Sequence, residues 1–214
     1  MTDTGFAGER SSSGAGSVLT HGAAAPNPTS AAAPTLSGTN ETQGARRIAA
    51  SFGRAATAGR SALIPYVVAG YPDHETSLSA ALAAADAGAD LLEIGLPYSD
   101  PLADGATLQR ATSAALRAGA TLERSVELLR AIAAARPNLP LIPMCYANQI
   151  LGGGDGRAVA TRLAEAGAAG VIVADLTPDE GMRFEAVARD LGLALVYLIA
   201  PTTVAARRAE VAGR

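Results

Sequence analysis

The sequence predicts an α/β protein built around a parallel sheet. One observation is a recurring unit: AADAGADLLEIG (residues 84–95), AEAGAAGVIVAD (164–175) and, more loosely, ARDLGLALVYLIAP (188–201). Each reads as the end of a helix, a glycine at its C-cap, a short link and a buried apolar strand, which is the grammar of parallel βα architecture. A second observation is that short apolar runs of strand length alternate with Ala-rich stretches of helical period. A third is composition: 214 residues, 49% hydrophobic, 4% aromatic and no Trp, which suits one domain with an aliphatic core.

Composition also excludes several classes. A net charge of -3 gives no reason to expect nucleic acid or an anionic membrane as partner. The single cysteine, Cys145, excludes an internal disulfide and fits a reducing cytoplasm. No apolar run approaches the ~18 residues of a membrane span. The start, MTDTGFAGER, lacks the basic and apolar regions of a secretory signal, so a cytoplasmic location is expected.

Residues 1–43 are Ala, Gly, Ser, Thr and Pro with almost no large apolar side chains, and are expected to be a disordered tail; residues 44–214 form the folded domain. His21 falls in the tail as a solvated residue. A helix is predicted from Arg46 to about Ala58, with Ile48, Phe52 and Ala55 or Ala56 on its packed side and Arg46, Arg47 and Arg54 as solvated charges. The first strand follows at Leu63–Ala69, closed by Gly70 and Pro72; Pro65, with no amide to donate, marks a strand start or an edge. His74 reads as an exposed polar residue near a helix start, and Asp73 or Thr76 caps that helix, which stops at Gly88.

The second strand, Leu91–Leu96, is apolar except for Glu93. Alternation puts Leu92 and Ile94 on one face and Leu91 and Glu93 on the other. A carboxylate in a buried strand costs several kcal/mol unless it is partnered or changes protonation state. Glu93 is therefore either a structural, hydrogen-bonded acid or a general acid/base of raised pKa, with Asp104 as a second carboxylate from the loop that follows.

Beyond that loop a helix starts near Thr107 and a second follows Gly119, ending at Pro137. The third strand is Leu139–Tyr146, in which Cys145 packs rather than reacts, because no matched base is visible. LGGGDG (151–156) lies between strand and helix, the context of a phosphate cradle, but it fits neither a Walker loop nor a dinucleotide fingerprint; a plain loop is the favoured reading. The fourth strand, Gly170–Ala174, ends in Asp175, a position that reads as supporting a site. The fifth is Leu193–Ile199, and a last helix follows APTT.

One stretch is specific enough to carry a resemblance. LEIGLPYSDPLADGATLQ is similar to the signature of the tryptophan synthase alpha chain family, a Glu ending the second strand and then P-[FY]-S-D-P-x-A-D-G. Glu93, Pro97, Tyr98, Ser99, Asp100, Pro101, Ala103, Asp104 and Gly105 all match; Ala106 stands where the family usually has Pro. ADLTPDE at residues 174–180 likewise resembles the family's ADxPxEE.

The resemblance implies a (β/α)₈ TIM barrel and retro-aldol cleavage of indole-3-glycerol phosphate to indole and glyceraldehyde 3-phosphate, a lyase step of tryptophan biosynthesis. It implies Glu93 as acid/base at the indole carbon and substrate hydroxyl, and Asp104 as the partner of the indole N–H. Tyr66, Tyr146, Ile172, Asp175 and Leu198 would line or support the substrate pocket. Asp100, Pro101 and Asn148 would face a tryptophan synthase beta chain in an alpha2-beta2 tetramer. No metal or cofactor is implied in this chain; pyridoxal phosphate would belong to the beta subunit.

Five βα units are counted, where a complete barrel takes about 250 residues and eight units. The resemblance runs from about residue 46 to residue 214, and in the family the lid and the phosphate-binding glycines belong to units six to eight. The sequence is thus expected to be C-terminally incomplete, with exposed edges at its first and fifth strands and little cleavage by these 214 residues alone. Two rival readings follow: an inactive partial barrel that serves only as a partner of the beta subunit, and a different phosphosugar lyase or isomerase on a related barrel.

Overall fold

The computed structural model describes residues 41–214. The expected tail, residues 1–43, lies outside the described residues but for its last three positions. Helix α1 runs Gln43–Thr57, and the Thr42 hydroxyl accepts a hydrogen bond from the Ala45 amide as its N-cap.

Five strands follow: β1 (Tyr66–Val68), β2 (Leu92–Gly95), β3 (Leu141–Cys145), β4 (Gly170–Val173) and β5 (Ala194–Val196). They lie in sequential order in one all-parallel sheet, with β1 and β5 as its outer strands. The connections are α2 (His74–Asp86), α3 (Ala106–Arg117) and α4 (Leu122–Ala135), α5 (Ala147–Leu151) and α6 (Arg157–Glu165), and α7 (Pro178–Asp190); α8 (Ala205–Ala212) follows β5. This is the α/β class that the repeated units predict. Each strand is shorter than its apolar run, because the run includes residues that only approach or leave the ladder.

The alternation around Glu93 is as expected. Leu92 and Ile94 join Leu141, Cys145, Val171 and Val173 in the large core under the helices. Leu91 faces the other way, with Ile142 and Ile172, and with Ile48, Ile64, Met144 and Val196 against them. Fully burying one such aliphatic side chain contributes about 1.5–3 kcal/mol, so the helix-covered face does most of the stabilising. Pro65 immediately precedes β1, and its carbonyl accepts from the Glu93 amide. Asp73 caps α2 by accepting from the Thr76 amide at 2.8 Å.

Two expectations about α1 need correction. Phe52 is exposed; the packed stripe is Gly44, Ser51 and Ala55 with Ile48 half-buried beside them. Arg47 is not a solvated charge, since its guanidinium donates to the carbonyls of Gly167, Pro137 and Leu139. It thereby pins α1 across the N-terminal ends of β3 and β4. Arg46 and Arg54 are exposed, as expected, and donate to the Glu41 carbonyl and the Ser51 hydroxyl. Gly44 explains the close approach: its amide donates to the Gly192 carbonyl, and a Cβ there would sit 1.6 Å from the Ala169 oxygen.

Two further features lie between β3 and α6. The residues after β3 form the short helix α5 where a loop was expected, and the glycine stretch becomes the turn that ends it. Asp155 accepts from the Arg157 amide at the start of α6, so the chain's own carboxylate meets that helix N-terminus, as suits the plain-loop reading.

Candidate active site

The candidate side chains come from within β1 and β2 (Tyr66 and Glu93), from the loop after β2 (Asp104) and from the residue after β3 (Tyr146). Loops after the strands are where barrel enzymes build their sites. Glu93 is held on β2 directly beside Tyr66 of β1 and Ile142 of β3. It is half-buried, and burial raises its pKa. Tyr66 leans across Gly95, where a Cβ would lie 1.9 Å from the phenol oxygen. A glycine at that position makes room for the ring. The phenol's own pKa is raised by burial first and then by the charges of Asp104, Tyr146 and Glu93. Those four groups therefore share one electrostatic neighbourhood.

The loop from Pro97 to Gly105 carries Asp104 over the strand ends. Tyr146, 5% exposed at the end of β3, holds it there. Its hydroxyl accepts from the Ala103 amide at 3.0 Å, and its ring stacks on Tyr98 with centroids 5.2 Å apart and planes at 27°. Burial raises the Asp104 pKa, and the neighbouring Tyr146 hydroxyl works against that by favouring the ionised form. Within the loop, the Asp104 amide donates to the Pro101 carbonyl, and Gln109 donates to the Asp104 carbonyl at 2.9 Å. The result is two half-buried carboxylates, each with a pKa raised by burial, in the neighbourhood of Tyr66.

The other expected residues divide. Ile172 is buried on the Glu93 face. Asp175 is exposed, and its carboxylate accepts from the Ala147 amide at 2.6 Å, which fixes the start of α5. Asn148 is exposed and donates to the Tyr98 hydroxyl at 3.1 Å; Asp100 is exposed and accepts from Ser99; Pro101 is half-buried. Leu198 lies two residues beyond the end of β5 at Val196 and is 52% exposed; β5 is an outer strand of the described sheet. Cys145 packs as expected, its thiol pushed up to about 12 by burial.

Gln149 was not singled out by sequence reasoning. Its side-chain oxygen accepts from the Tyr146 amide at 3.0 Å, and its side-chain nitrogen donates to the Pro97 carbonyl at 3.0 Å. A Gln three residues after the residue that precedes a helix is half of a capping box, and that was the available signal. The missing Ser or Thr partner concealed it.

A cavity of about 310 Å³ lies at the opposite, N-terminal ends of β2 and β3, lined by Arg54, Asp90, Arg136 and Leu139 among others. It contains neither carboxylate of the site. Among the described residues no group of His, Cys, Asp and Glu is arranged to hold a metal ion, and no helix is long and apolar enough to cross a membrane.

The family model described as "Tryptophan synthase alpha chain" matches residues 52–214. The chain belongs to that family. The tryptophan synthase alpha chain of Roseiflexus castenholzii is 45% identical over 165 residues, covering 77% of this chain and 63% of that protein. The corresponding chain of Acidiphilium cryptum is 47% identical over 157 residues, covering 73% and 56%. The chain thus spans roughly 60% of the length of these tryptophan synthase alpha chain relatives. Among solved structures, a chain of tryptophan synthase from M. tuberculosis in an aminoacrylate-bound form matches with a TM-score of 0.73 at 38% identity, covering 78% of this chain and 68% of that one. Tryptophan synthase subunit alpha of Legionella pneumophila matches at 0.71 and 35%, covering 75% and 61%. At these identities the five-stranded sheet is the same fold as theirs.

Proposed function

We propose that this chain carries the acid–base half of the tryptophan synthase alpha reaction, cleavage of indole-3-glycerol phosphate. The single observation behind this reading is the pairing of Glu93 and Asp104. One lies within a buried strand and one on the loop that follows it, and both have pKa values raised by burial.

The chemistry needs two such groups. Indole leaves poorly unless its C3 is protonated. Glu93 delivers a proton to C3, and the ring becomes an indoleninium with positive charge at its nitrogen. Asp104, ionised, accepts the ring N–H and stabilises that charge. A base, again Glu93, then takes the proton of the side-chain hydroxyl. The carbonyl of glyceraldehyde 3-phosphate forms, the bond to C3 breaks, and its electrons restore the aromatic ring. Tyr66, Ile172 and Tyr146 would wall the indole, Asp175 would support that wall through α5, and Leu198 would line its far side.

The same reading takes the folded domain as residues 44–214 and makes Asp100, Pro101 and Asn148 the contacts to a tryptophan synthase beta chain, which would supply the pyridoxal phosphate step. The exposure of Asp100 and Asn148 is what supports this, together with the relatives' names. The test is indole release from indole-3-glycerol phosphate, with and without beta chain. Release that requires Glu93 and Asp104 supports the reading; cleavage of other triose phosphates but not this one would replace it.

A further inference from the structure

The loop that carries Asp104 is held from one side by the residues that follow β3. Its far end is fixed by Tyr146, whose hydroxyl accepts from the Ala103 amide. Its near end is fixed by Gln149, whose side-chain nitrogen donates to the Pro97 carbonyl. The other end of the Gln149 amide accepts from the Tyr146 backbone N–H, 3.0 Å away. One planar amide therefore spans from the first residue of the loop to the backbone of the residue that grips its last turn. Its orientation is set by its partners, because the oxygen faces a donor and the nitrogen faces an acceptor. Gln149 is half-buried, so neither bond is freely replaced by water.

We propose that Gln149 is a positioning residue for the reaction assigned above, a latch that fixes the distance between β3 and the Pro97–Gly105 loop and so the placement of Asp104. The inference rests on that assignment for its purpose and on the two hydrogen bonds for its mechanism. Gln149 touches no reacting atom. It acts through Pro97 and Tyr146. A short amide suits this work, since one flat group satisfies a donor and an acceptor on two elements at once, leaving neither buried and unpaired.

The test separates the latch from ordinary capping of α5. Gln149→Leu removes both bonds. Gln149→Glu keeps an oxygen for the Tyr146 amide and loses only the donor to the Pro97 carbonyl. Amide hydrogen exchange is then read at Ala103, which Gln149 does not contact, with thermal unfolding measured alongside. Both variants are expected to lose protection at Ala103 by about fivefold or more, the scale of one net hydrogen bond, while the Tyr146 amide stays protected in Gln149→Glu. Should Gln149→Leu fail to fold, Gln149→Glu alone decides. Unchanged protection at Ala103 in a folded Gln149→Glu protein would overturn the latch. A parent protein, completed with the remaining βα units, that keeps Ala103 protection yet releases no indole contradicts the proposed reaction and leaves the latch standing; a variant that releases indole with Ala103 protection intact contradicts only the latch.

Discussion

Tyr146→Phe removes a single oxygen and leaves everything else about the ring in place. The ring would remain 5% exposed and stacked on Tyr98, so no cavity opens. What disappears is the acceptor for the Ala103 amide and the hydroxyl that favours ionised Asp104. A neutral hydrogen bond contributes about 1 kcal/mol net. Ala103 is exposed, so water takes over part of that contribution. A loss of about 1 kcal/mol is roughly fivefold in kcat/KM if it is all felt in the transition state. The pH dependence has a definite sign. Tyr146 favours ionised Asp104, so its loss raises the Asp104 pKa further, more of the acid is protonated at a given pH, and the acidic limb of the rate profile moves to higher pH. The assay is indole release across pH, with thermal unfolding as control. A rate within twofold of the parent with an unmoved acidic limb would refute the reasoning.

Other expectations rest on the frame around the site. Leu141→Ala, at a fully buried position, should cost about 2–5 kcal/mol in denaturant unfolding. Leu102→Ala, at a position 90% exposed, should change stability by less than about 0.5 kcal/mol. Gly44→Ala drives a methyl into the Ala169 carbonyl and should cost about 2–3 kcal/mol by pushing α1 off the strand ends, read as a lower melting temperature. Asp90 is held at a pKa of about 2, first by the Arg60 guanidinium hydrogen-bonded to it and then by the Leu63 amide. Its contribution to stability is present above the ordinary carboxylate value and is lost as pH falls through about 2. Arg60→Met should therefore flatten the fall of melting temperature between pH 5 and pH 2; an unchanged slope would count against that pairing.

How much of this was legible in the sequence depends on the kind of signal. The Glu93 face was readable because strand alternation is strict and Glu93 interrupts an otherwise apolar run. Tyr66 and Tyr146 were placed by the wording of the motifs, and the structure brings both beside Asp104. The packed face of α1 was misread because a Gly/Ala/Ser stripe has little hydrophobic contrast, and Phe52 outweighed it in the pattern. Arg47 was misread for a related reason: a charge that satisfies backbone carbonyls of distant segments leaves no local trace. Leu198 sits in an apolar run, but a run does not say where a strand lacking a second neighbour stops pairing. Gln149 acts across 52 positions of sequence, and its partner there is a backbone carbonyl, which no side-chain pattern announces.

The central claim is that Glu93 moves the protons of the cleavage step. The direct measurement is the rate of indole release from indole-3-glycerol phosphate by the parent and by Glu93→Gln. Both are assayed as the 214 residues alone and joined to the remaining βα units of the Roseiflexus castenholzii relative. Glutamine keeps the size and hydrogen-bonding shape of Glu93 and removes only its ability to transfer a proton. The expected result is release by the joined parent protein and a fall of at least about 100-fold in Glu93→Gln, with the fold unchanged by circular dichroism. Near-parent turnover in a folded Glu93→Gln protein would contradict the claim.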